Sequence, residues 1–243
     1  MSRIAFTKMH GAGNDFVLFD DRDETFPLGR ANMLQDLANR RTGIGCDGFI
    51  LVQPSASADF RMRFINPDGN EVEMCGNGAR CVARFARRIG AAPDAMTIET
   101  VAGPLRAELL DDGCVRLHMT DPTDWRMHRH LNIRGKKIEY DFVNSGVPHV
   151  VVECGDVGAV DLPSLGSSIR YHEDFAPQGT NVNVVEVTGF NSLKVRTYER
   201  GVEAETLACG TGIVASALTA GRRNRVQPPV DVECAFGDIL RVD

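Results

Sequence analysis

Two cysteines stand apart from the rest of the chain. Cys75 opens the string MCGNGARC at 74–81 with Cys-Gly-x-Gly, and Cys209 opens ACGTGIVA at 208–215 in the same way. In each, Gly-x-Gly presents backbone N–H groups at the start of a helix, an anion site to which the helix dipole adds. A thiol just ahead of such a site feels the same positive potential, which favours thiolate. Two copies turned toward each other would hold one carboxylate between two helix N-termini, with a sulfur on either side of its α-carbon. Inverting a carbon centre needs that arrangement: a base takes the proton from one face while an acid returns one on the other. Two cysteines, one thiolate and one thiol, can do so near the ordinary thiol pKa of about 8.5. The amides that bind the carboxylate also stabilise the charge of the carbanion. No cofactor or metal is required.

The elements that must position these cysteines are written twice. Cys75 and Cys209 lie 134 residues apart, and the same offset sets RMRFI at 61 on VRTYE at 195, and GIGCDGFILV at 43 on PQGTNVNVVE at 177. It also sets GNDFVLF at 13 on VPHVVVE at 147 and VAGPLRAEL at 101 on AFGDILRVD at 235, without a gap. Repetition at one offset implies two copies of one architecture, about 1–120 and 121–243. Each half reads as short β-type runs (DFVLFD, DGFILV and DFRMRFI in the first), then the Cys-Gly-x-Gly turn, a helix and a last β-type run. In GARCVARFARRIG, Val82, Phe85, Ala86 and Ile89 recur at helical spacing, and GIVASALTAG is apolar or small all round, as a buried helix is. Gly90 and Gly221 are placed as C-terminal stops. The fold class expected is α/β (α+β), two pseudo-symmetric halves, each a curved sheet or β-barrel around one central buried helix. The second half stops at Asp243, the equivalent of Leu109, so its barrel either lacks a closing strand or borrows another segment for it.

Composition sets the class. Hydrophobic residues make up 43% and charged residues 25% of 243, as in a soluble protein with a real core. A formal net charge of −6 gives no electrostatic pull toward nucleic acid or an anionic membrane. No apolar run spans a bilayer and MSRIAFTKMH lacks a signal-peptide core, so the expected location is the cytoplasm. Seven cysteines without C-x-x-C pairs make neither a disulfide framework nor a zinc site, and Cys81 reads as core. HGAGND and TGIGCDG look like phosphate loops but lack the G-K-[ST] of a nucleotide site. The partner implied is one small amino-acid substrate, with homodimerisation left open.

Together the strings KMHGAGNDFV, NRRTGIGCDGF, FINPDGNEVEMCGNGARC, SGVPH, GTNVNVVEV and YERGVEAETLACGTG, in this order, resemble the diaminopimelate epimerases nearly end to end. The resemblance implies a cofactor-independent enzyme that interconverts LL- and meso-diaminopimelate for lysine and cell-wall precursors, on two halves each with a β-barrel around a helix. It implies that Cys75 and Cys209 are the acid–base pair. The backbone of Gly76 and Asn77, and of Gly210 and Thr211, would hold the reacting carboxylate. Asn14 and Asn66 would line the pocket, and Asn181, Glu199 and Arg200 would recognise the distal amino-acid end. An Arg beside a Glu suits a second carboxylate and ammonium. His149 would tune or orient a catalytic group. Val147 stands where many members have Asn and Gly48 where many have Gln, both on the distal side. Those departures leave room for a racemase of another amino acid, such as histidine. A small-anion binder or a redox dithiol would keep the Gly-x-Gly amides with no need for two catalytic thiols.

Overall fold

A strand that is apolar at successive positions needs cover on both faces, and the runs around 15–20 and 47–52 are of this kind. In the computed structural model, which describes residues 4–235 and 237–243, they form the centre of a sheet. The chain divides into two units, residues 1–119 and 120–243.

The first unit holds β1 (Thr7–Gly11), β2 (Asn14–Asp20), α1 (Ala31–Ala38), β3 (Gly48–Gln53), β4 (Phe60–Ile65), β5 (Glu71–Val72), α2 (Gly76–Arg88), β6 (Ala95–Thr100), β7 (Gly103–Leu109) and β8 (Val115–His118). The sheet runs β1-β2-β3-β4-β6-β7-β8, with β5 paired to β4. The β2–β3 and β4–β6 pairs are parallel, so α1 and α2 are the crossovers that parallel pairing demands. Alternate residues of β2 and β3 feed opposite cores. Phe16, Leu18, Ile50 and Val52 pack with Val82, Phe85 and Ala86 of α2. Val17, Phe19, Phe49 and Leu51 pack with Leu34 and Ala38 of α1. Helix α2 touches β1 at one end of the sheet and β8 at the other, so the sheet curls around it.

The second unit repeats the plan with β10 (Lys136–Asn144), β11 (Pro148–Glu153), α3 (Leu162–Arg170), β12 (Asn181–Gly189), β13 (Ser192–Glu199), β14 (Ala204–Thr206), α4 (Gly210–Arg222), β15 (Val230–Glu233) and β16 (Ile239–Val242), preceded by β9 (Thr123–Ile133). Val151, Val185 and Val195 pack with Ile213, Ala217 and Ala220 of α4. On the other face Val150, Val152, Val182 and Val184 pack with Leu162 and Ile169 of α3.

Three features differ from the sequence expectation. Each sheet carries a second helix on its outer face, α1 and α3, because residues such as Val17 and Val182 would otherwise lie bare. The eighth strand of the second sheet is β9, paired to β10, whereas the eighth of the first is β8, at the opposite end of the order. And Gly221 is not a helix stop: α4 runs on through Arg222, and Asn224 takes the left-handed turn at φ 56° and donates its N–H to the Gly221 carbonyl at 2.9 Å. Gly90 does end its helix, at φ 69°. Asn224 is its equivalent at the 134-residue offset, since Asn is the side-chain-bearing residue most at ease in that region.

Candidate active site

Each cysteine caps a helix of 13 residues. Cys75 stands before α2 at φ −140° and Cys209 before α4 at φ −115°, both extended. The first intrahelical bonds run from Ala79 N–H to the Cys75 carbonyl at 2.7 Å and from Ile213 N–H to the Cys209 carbonyl at 2.9 Å. The amides of Gly76, Asn77 and Gly78, and of Gly210, Thr211 and Gly212, therefore lie ahead of the helical ladder, where anions bind. The two glycines of each string do different work. A Cβ at Gly76 or Gly210 would meet no atom within 4 Å, whereas at Gly78 it would press on Ile50 Cδ1 at 2.9 Å. At Gly212 it would drive into the Asn183 amide. The first glycine leaves room in front of the amides, and the second seats the helix on its sheet.

In the first unit Cys75 is half-buried and its Sγ lies 3.8 Å from Asn14 Oδ1. Asn14 donates through Nδ2 to Asp47 Oδ2 at 2.6 Å. Arg40 then locks Asp47 to Asp15, donating to Asp15 at 2.7 and 2.9 Å and to Asp47 at 2.6 Å. The Arg40 guanidinium, helped by Lys8, holds the Asp15 carboxyl down at about 2. Asn77 is buried and accepts from Arg80 at 2.7 Å. Asn66 closes the turn after β4 through its backbone. Its half-buried side-chain amide has no hydrogen bond among the described residues.

In the second unit Cys209 is 9% exposed. Its Sγ lies 3.5 Å from Thr211 Oγ1, which lies 2.9 Å from His149 Nε2. His149 is fully buried, and burial, with the Arg200 charge nearby, pushes its pKa down to about 3. Its Nδ1 accepts from Asn183 at 3.0 Å, and Ser145 donates to the Thr211 carbonyl at 2.8 Å. Asn181 is buried, donates to the Pro148 carbonyl at 3.0 Å and accepts from Arg200 N–H at 2.8 Å, so it fixes the Arg200 backbone. Among the described residues Glu199 and Arg200 form no ion pair, with each other or elsewhere. Burial raises the Glu199 pKa. Gly48 starts β3 beneath Phe64, whose ring fills the room a larger side chain would need. Val147 lies in the turn between β10 and β11.

Of the other cysteines, Cys46, Cys81 and Cys234 are buried, Cys154 is half-buried and Cys114 is exposed. Burial raises Cys46 and Cys81 to about 11 and raises Cys154 as well. Among the described residues no group of His, Cys, Asp and Glu is arranged to hold a metal, and no helix is long and apolar enough to cross a membrane.

A family model described as diaminopimelate epimerase matches residues 6–125 and 142–241. The chain belongs to the diaminopimelate epimerase family. A diaminopimelate epimerase of Aquifex aeolicus is 42% identical over 99% of this chain and 90% of its own length. One of Methanocella arvoryzae is 43% identical over 98% and 89%. As a member of the diaminopimelate epimerases, the protein is an isomerase. The fold extends further: a Bacillus anthracis phenazine biosynthesis protein of the PhzF family shares it at TM-score 0.72 and 16% identity, covering 99% of this chain and 89% of that one. A probable proline racemase from Agrobacterium radiobacter shares it at 0.68 and 18%, covering 98% and 84%. Within this epimerase-family scaffold Asp15, Arg40, Asp47, Asn183 and Thr197 hold the site residues in place. Sequence reasoning singled out none of them for that work, although the 134-residue offset sets Asp15 on His149 and Asp47 on Asn181.

Proposed function

We propose that the enzyme is a cofactor-independent epimerase that interconverts LL- and meso-diaminopimelate by two-cysteine acid–base catalysis, in the cytoplasmic synthesis of lysine and cell-wall precursors. The observation that carries the reading is the doubled cap. Two thiols stand before two helices of equal length, at equivalent positions of a repeated unit. One sulfur removes the α-proton and the other supplies a proton to the opposite face, and they exchange roles in the reverse direction. The amides ahead of α2 and α4 hold the α-carboxylate and stabilise the carbanion. Asn14 and Asn66 contact the substrate. Arg200, held by Asn181, takes the distal carboxylate, and Glu199 takes the distal ammonium. Support comes from the names of the relatives and from an Arg200 guanidinium left without an ion-pair partner among the described residues.

The test is proton exchange in deuterated water. Wild type incorporates deuterium at the α-carbon with inversion, while Cys75→Ala and Cys209→Ala each lose inversion by about a hundredfold or more, the range set by losing a general acid or base. Inversion at the wild-type rate in either variant would sink the mechanism. Phe64 over Gly48, and Val147 in place of Asn, favour one second reading, a racemase for an amino acid with a single carboxylate. Substrate profiling separates them, because an Arg200-dependent enzyme turns over diaminopimelate and rejects such amino acids.

A further inference from the structure

We propose that Asn183 is a positioning residue that sets the direction of hydrogen bonding into Cys209, so that in the ligand-free enzyme Cys209 is the thiolate and Cys75 the thiol. The inference deepens the two-cysteine reading and rests on it.

Asn183 can point only one way. Its Nδ2 donates to the Val150 carbonyl at 3.0 Å, an atom that can only accept, and its Oδ1 accepts the Thr197 hydroxyl at 2.9 Å. The second Nδ2 hydrogen goes to His149 Nδ1 at 3.0 Å. A neutral imidazole that accepts at Nδ1 carries its proton on Nε2. His149 is neutral at working pH because burial holds its pKa at about 3. Its Nε2–H therefore donates to Thr211 Oγ1 at 2.9 Å. The bond from His149 leaves the Thr211 hydroxyl its own hydrogen to give, and we assign that hydrogen to Cys209 Sγ, 3.5 Å away. A sulfur that receives a hydrogen bond at a helix N-terminus is stabilised as thiolate.

The first unit runs the opposite way. Asp47, held by Arg40, takes the Asn14 amide hydrogen at 2.6 Å and so turns Oδ1 toward Cys75. A carbonyl oxygen accepts only, and Cys75, 3.8 Å away, meets it by presenting S–H. The carboxylates of Asp47 and Asp15 behind Asn14 add negative charge on that side, partly offset by Arg40 and Lys8. The positions equivalent to Asp15 and Asp47 in the second unit are His149 and Asn181, both uncharged. One cap is thus wired to keep a proton and the other to do without it.

The ultraviolet thiolate band of the ligand-free enzyme at neutral pH tests the assignment. The band persists in Cys75→Ala and disappears in Cys209→Ala. Thr211→Val removes it and lowers kcat by roughly tenfold, the loss expected from one hydrogen bond to a charged group, while Thr211→Ser restores both. In Asn183→Leu, nitrogen spectra of the labelled imidazole show the proton no longer confined to Nε2; the Thr211 pair decides the matter if that variant does not fold. A band that follows Cys75, or survives intact in Thr211→Val, overturns the assignment. If both cysteine variants are inactive and the band follows Cys75, the two-cysteine reading stands and only the polarity falls. If both remain active, that reading itself fails.

Discussion

Asn14 reaches Cys75 only because other side chains hold it. Its amide hangs from Asp47, and Asp47 is held by Arg40, a residue more than half exposed, with a side-chain exposure of 57%. An exposed guanidinium adds little to global stability, of the order of 0–1 kcal/mol, yet loosening Asn14 displaces a group beside the sulfur proposed to react. A displacement of about 1 Å near the chemistry can cost up to a hundredfold in rate. Arg40→Ala is therefore expected to lower kcat by between about ten- and a hundredfold while leaving the unfolding midpoint nearly unchanged. Steady-state kinetics and thermal denaturation on the same preparation check this, and a variant as active as wild type would show that the clamp does no such work. The strings around Asn14 and Arg40 were visible in the sequence and their partnership was not, because β2 and β3 pair across a crossover that separates Asp15 from Asp47 by 32 residues. Cys75 and Cys209 were legible for the opposite reason: cap, glycines and helix are contiguous, and the string occurs twice.

At the scale of the element, each Gly-x-Gly combines a clearance and a seat. A Cβ at Gly210 meets nothing, and the residue lies in the first turn of α4. Gly210→Ala should keep or raise stability by about 0.5–1 kcal/mol, the ordinary gain of Ala over Gly in a helix, while raising KM by filling the space before the amides. Gly212→Ala should do the reverse. Its methyl has to displace the Asn183 amide, which is bonded on three sides, and overpacking of that kind costs about 1–3 kcal/mol. Urea denaturation and substrate titration of the two variants test the contrast, and equal stabilities would refute it. Here the sequence was read correctly for the turn and the helix, and wrongly for where α4 ends. Gly221 has the stop residue's identity, but Asn224 has its position in the repeat. Helices α1 and α3 escaped notice because their evidence lies in the strands, whose second apolar face implied a cover.

For the molecule as a whole, the duplicated plan carries unlike charge in its two copies, and this shapes acid stability. In the second unit His149 remains neutral in the folded protein down to about pH 3, whereas in the unfolded chain it takes up a proton near 6.5. The unfolded state thus binds the extra proton over that interval. Stability is full above pH 6.5, declines as the pH falls, and stops declining on this account near 3, at a slope of up to about 1.4 kcal/mol per pH unit. In the first unit Asp15 titrates near 2 in the fold against about 3.9 unfolded, so its contribution is full above about pH 4 and disappears as the pH drops toward 2. Arg40, its principal partner, is exposed and screened by salt, which makes the Asp15 contribution the smaller of the two. Of these two groups, only the buried imidazole acts between pH 6.5 and about 4. Replacing it by an uncharged residue that can still hydrogen-bond, His149→Gln, is expected to lower stability at pH 7.5 and to flatten the decline between 6.5 and 4 by as much as one proton's worth. Urea unfolding at a series of pH values gives both quantities. Curves for wild type and variant that stay parallel through this interval would mean that His149 takes up its proton in the folded state as readily as in the unfolded chain.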